Sequence, residues 1–193
     1  MARSAGSLFG PILPSGFQYQ DDCISKAEQA ELVDQINQIE FSTFEMRGVV
    51  AKRRVAFFGA SYDRGQQPSP PIPEFLSPVR MRLAEFAGVG AGEFAMLLIN
   101  EYRPGTPIGW HRDAPQYGLI AGVSLLSSCR MRLRPYVSPS DAAAQKLRRS
   151  TTHEFELLPR SAYAMQGEAR SGYEHSIPAV TDLRYSITFR TLR

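Results

Sequence analysis

Residues 94–135 read FAMLLINEYRPGTPIGWHRDAPQYGLIAGVSLLSSCRMRLRP. Two apolar runs of strand length, AMLLINEY (95–102) and YGLIAGVSLL (117–126), flank a segment carrying Pro and Gly turn residues. A third run, RMRLRPYV (130–137), alternates basic and apolar side chains. The same texture continues through HEFELLP (153–159), SAYAMQG (161–167), YEHSIPA (173–179) and RYSITFRTL (184–192). Seven or so short strands separated by turn residues predict a β-sandwich or barrel. The chain before residue 94 reads differently. Ser25 and Glu28 make a capping-box pattern ahead of Leu32, Val33, Ile36 and Ile39, which share one helical face. A second helix is predicted from Ser77-Pro78, with Ser77 as its cap, to Gly88. Between the two, residues 41–58 predict one or two short basic strands around a turn at Gly48. Pro68, Pro70, Pro71 and Pro73 exclude regular structure from 59–73. The fold class is therefore α+β, mainly β, with N-terminal helices packed on one side. Residues 1–22 read as a loosely packed arm, 23–193 as one domain, and 138–151 as a polar insert.

The bulk numbers fit that picture. The chain has 193 residues, 43% apolar and 21% charged, which suits one soluble domain and excludes wholesale disorder. No apolar run approaches the ~18 residues of a membrane span, so no membrane partner is expected. Gly10, Pro11 and Pro14 interrupt the first apolar stretch, which does not read as a signal peptide. Cys23 and Cys129 are too few for a disulfide framework, so a reducing, cytoplasmic location and a monomer are expected. The net charge of +3 with pI near 9.0 permits a nucleic-acid partner without requiring one. Of the 22 basic residues 19 are Arg, most of which a preference for arginine codons accounts for.

A few polar residues stand where chemistry needs them. His111 and Asp113 lie at i and i+2, on the same side of an extended segment. One imidazole and one carboxylate, joined by a distant histidine, make the facial triad of non-haem Fe(II) oxygenases, which leaves positions open for a co-substrate and O₂. The pair alone is a weak signal. Asn100 and Tyr102 repeat the i, i+2 spacing at a strand end. In the last strand, alternation puts Arg184, Ser186, Thr188 and Arg190 on one face and Tyr185, Ile187 and Phe189 on the other. Either the polar face meets water, or it lines an interior that binds an acid. For the distant histidine, His153 and His175 compete, because both point inward by parity.

Together, NEYRPGTPIGWHRD (100–113), the distant histidine and RYSITFR (184–190), with AKRRVAFFGASYD (51–63) followed by PIPEFL (71–76), resemble the AlkB family of Fe(II)- and 2-oxoglutarate-dependent dioxygenases. The resemblance runs from about residue 41 to 193. It implies a double-stranded β-helix (jelly roll) with a lid at about 41–62. It implies His111, Asp113 and His175 as iron ligands, with 2-oxoglutarate and O₂ as co-substrates. The matching 2-oxoglutarate positions are Asn100, Tyr102, Arg184, Ser186 and Arg190. Arg184, helped by Tyr102, would pair with the C5 carboxylate, while Arg190 and Asn100 lie near the C1 end. Ser186 stands where relatives often carry asparagine.

The lid would supply Arg47, Lys52, Arg53 and Arg54 for phosphates, and Phe57, Phe58 and Tyr62 for stacking a base. The implied reaction is oxidative demethylation of N-alkylated bases such as 1-methyladenine or 3-methylcytosine in DNA or RNA, single strands preferred. It releases formaldehyde, succinate and CO₂. One departure stands out. Several repair enzymes of the family carry an acid two positions after the metal aspartate, and here that position is Pro115. Trp110 reads as part of the core wall and Cys129 as a buried small hydrophobe. The competing readings are an oxygenase acting on RNA or a protein side chain, and a non-catalytic β-barrel that binds nucleic acid.

Overall fold

The computed structural model describes residues 13–46, 49–60, 69–138, 140–141 and 152–193. Eleven strands form two antiparallel sheets among these residues. In chain order they are β1 (Phe17–Gln20), β2 (Ser42–Met46), β3 (Val49–Gly59), β4 (Phe94–Tyr102), β5 (Ile108–His111), β6 (Tyr117–Leu126), β7 (Cys129–Pro135), β8 (His153–Leu157), β9 (Ala162–Met165), β10 (Tyr173–Ile177) and β11 (Arg184–Leu192). The larger sheet runs β1-β9-β6-β11-β4-β3-β2 and the smaller one β5-β10-β7-β8. Among the described residues three α-helices accompany them: α1 (Lys26–Ile36), α2 (Ser77–Ala87) and α3 (Gly167–Ser171). None is long and apolar enough to cross a membrane.

The alternation of β4 and β11 divides the molecule into layers. Leu97, Ile99, Ile187 and Phe189 point to the outer side of the large sheet and pack under Leu32 and Ile36 of α1 and Leu83 of α2. The opposite parity, with Met96, Leu98, Asn100 and Tyr102 on β4 and Arg184 to Arg190 on β11, faces the space between the sheets. Strand β11 is central, bonded to β4 on one side and β6 on the other, so even its arginines are buried. Its polar face therefore meets an interior and not water.

Local signals are realised with three differences. The Ser25 Oγ accepts from the Glu28 amide at 3.1 Å, and the Glu28 carboxylate accepts from the Ser25 amide at 2.7 Å. Gly88 closes α2 with φ 72°, a left-handed conformation glycine adopts without strain. Ser77, however, is not a cap. A 3₁₀ turn over Glu74–Leu76 runs straight into α2, and the Ser77 hydroxyl donates to Glu74 at 3.2 Å. Part of the presumed arm is structural, since β1 adds to the large sheet by pairing with β9 from Phe17↔Met165 to Gln20↔Ala162. Trp110 does not line the core. His111 points inward, so its neighbour points outward, where Arg134 and Arg132 stack on the indole at 4.0 and 5.0 Å. Cys129 is buried, with a free thiol. The Gly48 turn, and residues 142–151 of the polar insert, lie outside the described residues.

Gly122 of β6 is hemmed in on the cavity side of the large sheet by side chains and backbone of its neighbours β11 and β9. A methyl group there would lie 2.7 Å from Thr188 Cγ2 and 3.0 Å from both the Ile187 carbonyl oxygen and Tyr163 Cε1. Gly122→Ala is expected to destabilise the protein by about 1–3 kcal/mol through overpacking. An unchanged urea midpoint would contradict this close approach.

Candidate active site

β5 and β10 are neighbours in the small sheet, and their register sets His175 directly opposite His111. The imidazole centroids lie 4.2 Å apart. Two residues beyond β5, Asp113 turns back to the same spot, with Oδ2 3.6 Å from His175 Nε2. One ligand atom from each of the three falls within 4.8 Å of the others. His111 Nδ1 lies 2.9 Å from the Gly109 carbonyl. A carbonyl only accepts, so the proton sits on Nδ1 and Nε2 is left with its lone pair. His153 stands apart, since β7 separates β8 from β10 and its ring lies beside Tyr173 at 6.1 Å.

The electrostatics suit a divalent cation. Burial lowers the His175 pKa to about 3, reinforced by the neighbouring His111. Burial also lowers that of His111, with Asp113 opposing. Both rings are thus neutral and able to ligate. Burial alone would raise the Asp113 pKa, but the Arg190 guanidinium bonded to it outweighs this and holds the carboxyl well below its ordinary range. Two neutral nitrogens and one carboxylate oxygen are a donor set that fits Fe(II).

Around this cluster is a cavity between the sheets. Arg190 reaches it but is already engaged. Its Nη2 and Nε donate to Asp113 Oδ1 at 2.9 and 3.2 Å, and its Nη1 donates to Thr188 at 3.2 Å. It holds Asp113 through Oδ1, leaving Oδ2 toward the histidines. Arg184 sits at the other end of β11, 1% exposed. Its Nε donates to Ser124 at 3.0 Å, its guanidinium carbon lies 5.1 Å from the Tyr102 ring centroid, and its buried Nη1 has no partner. An orphaned guanidinium nitrogen facing a cavity matches the distal carboxylate of 2-oxoglutarate. Asn100, Tyr102 and Ser186 line the same space.

The proposed lid residues divide by parity. Arg53 and Phe57 of β3 line the cavity, and Arg53 Nε donates to Asn100 Oδ1 at 3.1 Å. Lys52, Arg54 and Phe58 take the opposite parity of β3, away from the cavity. Lys52 is exposed, Phe58 is buried in the helix-side core, and Arg54 pairs with Glu101, which Arg103 also holds at 3.0 Å. Arg47 and Tyr62 lie outside the described residues.

Two contributors had no local signal. Tyr117 lines the cavity from the start of β6. Arg170 of α3, itself buried, donates to the carbonyls of Ala114 at 2.7 Å and Tyr117 at 3.1 Å, clasping the loop that follows Asp113. Neither role is visible without knowing that α3 packs beside that loop.

Comparison with known proteins agrees with this chemistry. A family model, the 2OG-Fe(II) oxygenase superfamily, matches residues 16–190. The Arabidopsis thaliana protein named Alkylated DNA repair protein ALKBH8 homolog is 29% identical over 147 residues, covering 67% of this chain. The chain spans 42% of that relative's length. Among solved structures, OsALKBH1 superposes with a TM-score of 0.64 at 16% identity, over 93% of this chain and 99% of its own. A Pseudomonas putida prolyl-4-hydroxylase gives 0.60 at 12% identity, covering 92% and 93% of the two chains. A Burkholderia pseudomallei oxidoreductase of the 2OG-Fe(II) oxygenase family gives 0.62 at 15%, covering 92% and 85%. At such identities the structural matches speak for the jelly-roll fold alone. With nearly its whole length matched and a donor set suited to ferrous iron, the chain belongs to the 2OG-Fe(II) oxygenase superfamily, whose reagents are Fe(II), 2-oxoglutarate and O₂.

Proposed function

We propose that this protein oxidatively demethylates N-alkylated bases in nucleic acid, with single strands preferred. The observation that carries the reading is the composition of the cavity wall over the metal cluster. Phe57 offers a ring and Arg53 a guanidinium on one strand that overhangs the cavity. A flipped base needs these two elements, a face to stack on and donors for its edge. The homologous Arabidopsis protein, named for alkylated DNA repair, supports the same substrate class.

His111, Asp113 and His175 would hold Fe(II), and Arg184 would anchor the distal carboxylate of 2-oxoglutarate beside Tyr102. Arg190 holds Asp113 ionised and oriented. When bound, Fe(II) with 2-oxoglutarate and O₂ supplies oxidation of a C–H bond, giving succinate and CO₂ and leaving one oxygen atom on the substrate carbon. On an N-methyl group the product is an N-hydroxymethyl base, which loses formaldehyde and returns the unmethylated nitrogen. The buried wall of Met96, Leu98, Ile120 and Met131 excludes bulk water from that carbon. A lesion that cannot pair flips at a lower cost, and a single strand lowers it further.

The experiment is a panel of N-methylated single-stranded DNA, duplex DNA, RNA and peptide, read by formaldehyde release and by the mass of the product. Turnover on single-stranded nucleic acid is expected to exceed that on duplex. No turnover on any nucleic acid, with coupled turnover on the peptide, would transfer the protein to side-chain hydroxylation.

A further inference from the structure

The three metal-binding side chains are not held alike. His111 ends β5 and His175 lies in β10, so the ladder between those strands fixes both imidazoles. Asp113 has no such support. It sits in the loop 112–116 between β5 and β6, where Pro115 has no amide hydrogen to donate. Arg190 bonds Oδ1 and so sets which way the carboxylate turns. The position of the backbone beneath it is a separate matter. Two backbone bonds bend the loop, from the Tyr117 amide to the Ala114 carbonyl at 3.2 Å and from the Arg193 amide to the Gln116 carbonyl at 3.0 Å. A side chain from α3 then anchors it. Arg170, 6% exposed, places one nitrogen, Nη2, between the carbonyls of Ala114 at 2.7 Å and Tyr117 at 3.1 Å. Arg112 adds a longer bond, Nη1 to the Ser171 carbonyl at 3.5 Å, at the end of the same helix.

The helix is itself tied down. The amides of Gln166 and Ala169 donate to the carbonyls of Gly16 and Ser15 at 3.0 and 2.9 Å, just before β1. From α3 the chain passes through Gly172 into β10, which carries His175 five residues after Arg170. One short segment therefore delivers a metal ligand and the clasp on the loop that bears another. The arginine gains little for itself. Its Nε is buried and has no partner among the described residues, and its charge lies close enough to Asp113 to act on it. A buried cation with an unmade donor, set near a cluster that takes a cation, is a poor contributor to stability. What explains it is what Nη2 holds.

We infer that Arg170 is a positioning residue for iron binding: by holding the carbonyls of Ala114 and Tyr117 it fixes the Asp113 loop against the segment that carries His175, and so keeps Asp113 at ligating distance. Arg170 does not line the cavity, and the role is independent of the substrate the cavity takes.

Charge and position predict opposite signs. As a bare cation near the cluster, Arg170 repels Fe(II), and neutralising it would tighten iron binding. As a clasp it favours the bound ion, and the same substitution weakens binding. The test is anaerobic Fe(II) titration of wild type, Arg170→Met and Arg170→Lys, with circular dichroism to verify folding. The KM for 2-oxoglutarate at saturating iron is measured alongside. Arg170→Met removes the charge and both bonds at similar length, and is expected to weaken iron binding about tenfold or more, the scale of an outer partner of a metal site. Arg170→Lys, whose ammonium still offers donors to the carbonyls, should recover part of the loss. The KM should stay near that of the wild type, because Arg184 stands at the other end of β11 from Arg190 and Asp113. Unchanged or tighter iron binding in a folded Arg170→Met, or a loss that falls on the KM and spares iron affinity, would overturn the inference. Amide exchange on the wild type tests it without a variant. Coupling is reciprocal, so if α3 steadies the iron ligand, iron steadies α3. Fe(II) should slow exchange in 166–172 together with 112–117. Exchange in 166–172 that iron leaves unaffected would overturn the inference even where Arg170→Met fails to fold.

Discussion

His175→Ala is expected to abolish turnover, to roughly 1% of wild type or less, and to remove high-affinity Fe(II) binding, while His153→Ala keeps most of both. The reason is positional. His175 faces His111 across the β5–β10 ladder and stands 3.6 Å from Asp113 Oδ2, whereas β7 intervenes between His153 and that cluster. Changing even an outer partner of a metal site commonly costs 10–100-fold, and a direct ligand costs more. His111→Ala and Asp113→Ala should match His175→Ala. Asp113→Ala should in addition leave Arg190 with an unpaired buried charge and so lower stability as well. The checks are anaerobic Fe(II) titration and 2-oxoglutarate consumption, with circular dichroism to verify folding. Wild-type turnover by any of the three folded variants, or loss of iron binding in His153→Ala, would show that the ligand set is wrong.

The second large effect concerns Arg184. Arg184→Met should raise the KM for 2-oxoglutarate by roughly 30-fold or more, since losing one partner of a buried charge pair costs about 2–5 kcal/mol. Its effect on the ligand-free protein should run the other way. Arg184 is buried with Nη1 unpartnered, so an apolar side chain of similar length should leave the apo melting temperature level or higher. Anaerobic 2-oxoglutarate with Fe(II) should therefore raise the melting temperature of the wild type and barely move that of the variant. This split separates a co-substrate anchor from a residue that merely supports the fold, because a structural role would lower apo stability and spare the KM. An Arg184→Met enzyme with an ordinary KM, alongside an Arg190→Ala enzyme with a raised one, would reverse the orientation of the co-substrate in the cavity.

The arginines of β11 also resolve a geometric difficulty. Six residues of strand span about 20 Å, too far for both side chains to hold one small acid easily. The structure divides the work, with Arg190 serving the metal ligand at one end and Arg184 facing the cavity at the other. Asp113 is the hinge of this arrangement, since Oδ1 takes Arg190 and Oδ2 remains beside His175.

What the sequence by itself determined is local. The capping box at Ser25, the αL glycine at 88, the strand runs after Phe94, and the shared face of Asn100 with Tyr102 and of Arg184 with Arg190 all follow from interactions within a few residues, or from the two-residue repeat of a strand. Its arginine-bearing last strand also carried enough of a motif to indicate the chemistry. Tertiary structure alone decided what each face meets. Parity cannot say whether the polar side of β11 looks at water or at a second sheet, because that depends on β5, β7 and β10 closing over it. Parity likewise left His153 equal to His175, until register put one of them opposite His111. It was the pairing of β3 with β4 that put Arg53 over the cavity and Arg54 against Glu101, splitting a basic cluster that looks uniform in the chain. It was the packing of α3 beside the Asp113 loop that gave Arg170 its two carbonyls. Each of these joins residues dozens of positions apart, and the free energy that selects them comes from burying both partners at once, which neither segment encodes alone.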